Sequence, residues 1–481
     1  MTFDSRVSRR DVLAGVGGLI GCSLAPTGVF AQDSFRTKRP APSARRFRSK
    51  AVDAAVDSIT TKMRDRELAW LFSNCLPNTL DTTVTFKNSP DGPDTVVVTG
   101  DIPAMWLRDS SAQVWPYLAF LTADADLARL IEGVIRRQTR CILADPYANA
   151  FMPDLSSREP LSWSKTDHTE MKPGVGERKW EVDSLCYPVR LAHEYWRITH
   201  DTKPFGEQWA RAMHTIVETF TAQRRMTSRG PYSFQRQAFS PYDTLSEDGY
   251  GNPARPIWLI HSGFRPSDDA CIYPFNIPGN FFAVPTLLRI EEMFLDIAKD
   301  NAAATEVSGL RGGIMGALDG HARMHHPTAG EIWAYEIDGF GNALFMDDAN
   351  VPNLLGMPYL GSCSATDPVY LATRRFVLSE ANPYFYRGSA AEGVGGPHIG
   401  QDMIWPMAII MRALTTEDDK EQLQCLDWLK STHAGTGFMH ESFNKNDPAK
   451  FTRTWFAWAN TLFGELILKL DKTNPKLLEK A

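Results

Sequence analysis

Apolar residues recur at helical spacing along almost the whole chain, and this limits the fold more than any other feature. Val52, Ala55, Val56, Ile59 and Met63 fall on one helical face. Leu127, Leu130, Ile131, Val134 and Ile135 fall on another, as do Trp209, Met213, Ile216, Val217 and Phe220. Trp455, Trp458, Leu462, Phe463, Leu466 and Leu470 repeat the pattern near the end. A period of 3.6 places such residues on one buried stripe. Roughly a dozen segments of this kind can be counted by that criterion. Period-two alternation appears only at Thr82–Lys87 and Thr95–Thr99, which fit a hairpin around Asn88–Asp94. An all-α fold is expected, a toroid of helical hairpins with one small β-hairpin. Between residues 51 and 475 no Ser/Gly/Pro tract or charge block marks a boundary, so the expectation is a single domain.

The loops between these segments are aromatic. Aromatic residues make up 11% of the chain and 13 are Trp. Many stand beside polar groups, as in Trp106-Leu107-Arg108-Asp109, Trp180-Glu181-Val182-Asp183 and Phe340-Gly341-Asn342. A single Trp is most simply core filling. Several loops mixing Trp with Arg and Asp point to a carbohydrate cleft, where ring faces stack on sugar C–H faces and polar groups take the hydroxyls.

Residues 1–31 read as a twin-arginine export leader: Ser8-Arg9-Arg10-Asp11-Val12-Leu13, then an apolar stretch, then Val29-Phe30-Ala31 as a cleavage site. The apolar stretch is shorter than the roughly 20 residues a membrane span needs. A rival cut precedes Cys22, where Leu19-Ile20-Gly21-Cys22 resembles a lipoprotein box. The expected location is therefore periplasmic or secreted, with a lipid anchor at Cys22 as the alternative. Cleavage after Ala31 removes Arg6, Arg9 and Arg10 against Asp4 and Asp11, leaving 48 basic and 55 acidic side chains, net −7. That balance excludes a nucleic-acid profile. Residues 32–50 hold a basic run, seven Lys or Arg from Arg36 to Lys50, and read as a disordered, solvated linker. Seven scattered cysteines contain no Cys-x-x-Cys pair, so neither a zinc nor a thioredoxin motif is present.

Four loop segments carry the candidate chemistry. Arg108 and Asp109 fall near a helix start and suit either an ion pair with a cap or a hold on sugar hydroxyls. Asp347, Asp348 and Asn350 could in principle hold a hard cation, but the spacing is not that of a calcium loop, and a metal-free sugar contact or a loop cap is favoured. The Gly-rich run before His398 and Gln401 lacks a phosphate-loop Lys, and its glycines would either let the backbone approach a ligand or simply allow turns. His440-Glu441 has no second His to complete a zinc-protease motif. His321 and His325, four apart, would share a helix face without a third metal ligand.

The blocks IPAMWLRDSSAQVWPY, SGFRPSDDA, MDDANVPNLLGMPYLG, GGPHIGQDMIWPMAI and GFMHESF together resemble glycoside hydrolase family 125, in order, over roughly residues 50–472. The resemblance implies an (α/α)6 barrel and an inverting, metal-independent exo-α-1,6-mannosidase with no cofactor, acting on a mannose-containing oligosaccharide or glycan. It implies Asp268 as general acid and Glu441 as general base. An inverting pair stands about 6.5–9.5 Å apart to admit a water. The acid must be kept protonated by partial burial or a nearby like charge. Arg108, Asp109, Glu181, Asp183, Arg265, Asp347, Asn350 and His398 are the expected substrate contacts. Asp269, on the opposite side of an extended backbone, is expected to bind main chain or Arg265. Rival readings are a polysaccharide lyase, a calcium-dependent mannosidase and a non-catalytic mannose-binding protein.

Overall fold

The computed structural model describes residues 35–90, 92–238 and 240–480. The export leader and the lipoprotein box lie outside the described residues. The periodic segments form helices: α1 Lys50–Lys62, α2 Arg66–Cys75, α3 Asn78–Thr82, α4 Leu107–Val114, α5 Ala125–Ala144, α6 Val182–Thr199, α7 Glu207–Gln223, α8 Ile277–Met293, α9 Asn301–His321, α10 Pro368–Val377, α11 Pro406–Leu414, α12 Asp419–Ser431 and α13 Ala457–Thr473. The stripes read from the sequence are the buried ones: Leu127, Leu130, Ile131, Val134 and Ile135 in α5, and Trp209, Met213, Ile216, Val217 and Phe220 in α7. Trp455 is an exception. It precedes α13 and lies against Gly100.

The helices make two rings. In the inner ring α13 packs on α4, α4 on α6, α6 on α8, and α11 on α13. Between α8 and α11 the ring is completed by residues 351–361, a run of turns. Gly361 faces Arg289 of α8 and Gly356 faces Met411 of α11. In the outer ring α2, α5, α9 and α12 pack against α13, α6, α8 and α11, and α7 packs on α5. Inner helices are buried over most of their length, and every residue of α4 is buried. Outer helices bury one stripe only, which is why their amphipathic period is the clearer one. First and last elements close the ring. Lys430 of α12 bonds Asp65 at 2.6 Å, Asn460 of α13 donates to Asn78 at 3.1 Å, and Lys62 pairs with Asp471 at 3.0 Å. The architecture is a predominantly helical toroid of the (α/α)6 type.

The hairpin forms between Val84–Ser89 and Gly92–Val97, with Val84 opposite Val97 and Ser89 opposite Gly92. Strands of two or three residues, too short to show a period, occur where loops were expected. Three small sheets lead directly into inner helices: Met105–Trp106 with Ala150–Phe151 and Val175–Glu177 before α4, Phe275–Asn276 with Glu336–Ile337 and Ala343–Leu344 before α8, and Met403–Ile404 with Ser442–Asn444 and Phe451–Thr452 before α11.

Three expectations need correction. The described part of the basic linker is docked rather than solvated. Trp70 Nε1 donates to the Arg36 carbonyl, Lys38 N–H to Asn74, and Arg39 forms a two-pronged pair with Asp81 at 2.7 and 3.1 Å. Arg39 and Arg45 are paired with Asp53 of α1 and Asp81 of α3, which composition alone cannot show. His321 and His325 do not share a helix, since α9 ends at His321 and His325 sits on the strand Arg323–His326 facing Glu331. The glycines before His398 do not open the backbone to a ligand. A Cβ on Gly395 would meet the Met403 carbonyl and one on Gly396 the Asp348 carboxylate, so these positions need glycine for internal packing.

Candidate active site

The inner helices all begin at one end of the toroid, and the loops feeding them surround a cavity of about 400 Å³, within the roughly 300–1,000 Å³ common for ligand pockets. Arg108, Asp109, Asp268, Asn350, His398 and Glu441 line it. Four other expected contacts do not. Glu181 and Asp183 stand behind Arg108, Arg265 is wholly buried, and Asp347 is spent on main-chain N–H groups of Leu354 and Leu355 at 2.8 and 3.1 Å. Burial pushes the Asp347 carboxyl up to about 8 despite those bonds. Its role is to hold the turns of residues 351–361.

Asp268 owes its position to a strained backbone and three hydrogen bonds. Its φ of 65° lies in the left-handed region, which a non-glycine residue enters only when held there. Its N–H donates to the Arg265 carbonyl at 2.9 Å, and its own carbonyl accepts from Lys179 Nζ at 2.7 Å. Asn149 Nδ2 donates to its carboxyl at 3.1 Å. The loop is anchored below by Arg265, whose Nε bonds Glu336 at 2.6 Å, while the other Glu336 oxygen accepts from the N–H groups of Ile272 and Tyr273. Asp269 therefore does not lie on an extended strand or bind the Arg265 side chain. Its carboxylate meets His398 Nδ1 at 3.0 Å, and its carbonyl takes the Arg265 N–H. The two adjacent aspartates also cap no helix, because α8 starts at Ile277 with Asn276 as its cap.

Glu441 immediately precedes the strand Ser442–Asn444, which fixes its main chain. Its carboxyl is 5% exposed and lies 3.4 Å from Arg453 Nη1. Arg453 is itself held by Asp101 at 2.8 Å. Asp348, Asn350 and Ser267 form a second brace, with the Asp348 carboxylate accepting from Asn350 N–H at 3.0 Å and from Ser267 Oγ at 2.9 Å. Those oxygens are thus committed to protein donors. Among the described residues no group of three or more His, Cys, Asp or Glu side chains is arranged to hold a metal ion.

The walls supply what sequence reading missed. Trp163, Trp405, Phe456 and Trp458 offer ring faces, and Asp101, Arg453 and Ser267 add polar atoms. Trp405 and Ser267 lie inside family-like blocks and Asp101 directly precedes one, so all three were within reach of the sequence. Arg453 follows a two-residue strand at a φ of 52°, and nothing in the local pattern marks it. Apolar ring faces beside a few convergent charged and amide groups are suited to binding a sugar, and two carboxyls from distant loops facing one cavity are suited to acid–base hydrolysis of its glycosidic bond.

Comparison with known proteins gives a consistent result. A family profile described as metal-independent α-mannosidase (GH125) matches residues 65–468. The Meiotically up-regulated gene 157 protein of Schizosaccharomyces pombe is 41% identical over 458 residues, spanning 92% of this chain and 90% of that one. A Streptococcus pneumoniae structure of a metal-independent α-mannosidase, in a non-productive complex with α-1,6-mannobiose, superposes with a TM-score of 0.85 at 41% identity. It covers 89% of this chain and 100% of that one. A bacterial glucoamylase bound to acarbose shares the fold at a TM-score of 0.50 and 12% identity, covering 88% of this chain and 58% of its own.

Proposed function

The chain belongs to the GH125 family of metal-independent α-mannosidases, and from that premise we propose that it is an exo-acting α-1,6-mannosidase that releases non-reducing terminal mannose with inversion. The observation that carries the reading is the convergence of Asp268 and Glu441 on one aromatic-walled cavity. Asp268 gives its proton to the glycosidic oxygen as the bond to C1 breaks. Glu441 takes a proton from the water that attacks C1 from the opposite face. Arg453 holds Glu441, and Arg108, Asp109, Asn350 and His398 are placed to bind the hydroxyls of the terminal sugar. Glu181, Asp183, Arg265 and Asp347 support that shell from behind. Residues 8–31 support export through the twin-arginine route to the periplasm or beyond. Among the described residues no helix is long and apolar enough to cross a membrane.

The direct test is hydrolysis of α-1,6-mannobiose in the presence of a chelator, followed early by proton NMR. β-Mannose appears first if the reading holds. α-Mannose first would mean a retaining mechanism and another pair of roles, and loss of activity on chelation would mean a bound metal.

A further inference from the structure

Glu181 has a sequence context that suggests substrate contact, yet it lies outside the cavity wall and is wholly buried. Its surroundings are unusual. The Arg108 guanidinium faces four carboxyl groups: Glu181 at 2.6 Å, Asp183 at 3.2 Å, Asp109 at 3.5 Å and Asp268 at 3.7 Å. One cation cannot balance four buried anions, and carboxylates crowded into one site retain protons. Within the cluster Glu181 and Asp268 share that guanidinium, Glu181 on Nη1 and Asp268 on Nη2. Two carboxyls crowded on one cation are more stable with one proton shared between them than with none.

Resting on the assignment of Asp268 as the acid, the geometry points to Glu181 as the positioning residue that keeps the transferable proton on Asp268. Asp268 faces the cavity and presents the proton, while Glu181 behind it makes the doubly ionised pair unfavourable. Burial, then the charges of Asp268 and Asp183, hold the Glu181 carboxyl well above the usual range, with Arg108 opposing. Burial likewise raises Asp183 to about 6. The remaining groups facing Glu181 are Asp109, the Ser184 hydroxyl at 2.8 Å, and the more distant Tyr232 and Cys271; Lys179 bonds the Asp268 carbonyl. In turnover the Asp268 proton passes to the leaving oxygen as the C1–O bond breaks. Glu441 takes a proton from the attacking water and releases it to solvent. The pair, left doubly ionised beside Arg108, takes one proton back from solvent, so the account closes without a further reactant.

The sign of the pH effect follows. The acid works only while protonated, so the rate falls as pH rises through the apparent pKa of the pair. Glu181→Gln removes the like charge and leaves Arg108 more available to Asp268, so Asp268 loses its proton at lower pH. The alkaline limb of kcat/KM on α-1,6-mannobiose is expected to move down by about one pH unit or more, a tenfold loss per unit above it. The loss is smaller on α-mannosyl fluoride, whose leaving group departs with little protonation. An unmoved limb, or an equal loss on both substrates, overturns the assignment. Circular dichroism checks the fold. Ser184→Ala gives a second test, because the Ser184 hydroxyl donates to Glu181 Oε2 and favours its ionised form. Its loss is expected to move the limb upward, and a limb that stays or falls overturns the assignment even if Glu181→Gln does not fold. A wild-type enzyme that releases no mannose would instead refute the mannosidase reading.

Discussion

Helices of the outer ring and helices of the inner ring start differently. Of the outer helices, α2, α5, α9 and α12 start on side chains that satisfy the first N–H groups, while α7 starts at Gly206 without one. Ser49 caps α1, Asp65 α2, Asp124 α5, Asp300 α9, Asp367 α10 and Asp418 α12, each accepting from an N–H two or three residues on. The residues at the inner starts are Trp106 for α4, Glu181 for α6, Trp405 for α11 and Phe456 for α13, and none forms a side-chain cap. Asn276 at α8 is the one inner cap of the outer kind. A missing cap costs about 1 kcal/mol. The inner cap positions lie at the cavity end of the toroid, where Trp106, Trp405 and Phe456 line the cavity and Glu181 lies buried behind it. The local rule is broken at four of the five inner starts and kept at most others, with Gly206 at α7 an exception.

The sharpest break in this comparison comes from the catalytic pair. Asp268→Asn and Glu441→Gln are each expected to lower kcat on α-1,6-mannobiose by about 10²–10⁴-fold or more, with thermal unfolding unchanged. Asp268→Asn should recover part of its loss on α-mannosyl fluoride, and Glu441→Gln should not. Near-wild-type turnover in either would remove that residue from its role. Asn276→Ala comes next, because it deletes a cap of the outer kind at an inner start. A loss of about 1 kcal/mol in stability together with a measurable fall in kcat is expected, since α8 follows the Asp268 loop directly. Unchanged kcat would show that inner starts can be reset without disturbing the site. Asp418→Ala is the smallest effect: about 1 kcal/mol in stability and no change in kcat/KM. A change in activity there would mean that the two rings are coupled.

The same contrast explains what the sequence made legible. Outer stripes and their Asp caps follow local rules, so α5 and α7 could be read with their buried residues. The hairpin could be read because strands of six residues have room to alternate. Sheets of two-residue strands have no such room, although they hold the loops of the site. Arg108 and Asp109 read as polar groups beside a Trp, Asn350 as part of an acidic loop and His398 as the end of a Gly-rich run, and all four line the cavity. Glu181, Asp183, Arg265 and Asp347 have similar local patterns but lie one layer deeper. Residue type gives chemistry, whereas depth depends on contacts between segments far apart in sequence. Glu181 bonds Arg108 from 73 positions away and Arg265 bonds Glu336 from 71.

Ring closure has a consequence for how the protein is made. Helix α2 is covered by α12 and α13, and α3 by α13, with Lys430 bonding Asp65 and Asn460 bonding Asn78, 365 and 382 residues apart in the chain. A ribosome synthesises the first partner long before the last, so the apolar side of α2 has no cover until translation is nearly complete. The nascent chain is exposed to aggregation over that interval. A message cut short before α13 would yield a chain with an open seam beside Glu441, and such a product belongs to the quality-control proteases rather than to the glycan.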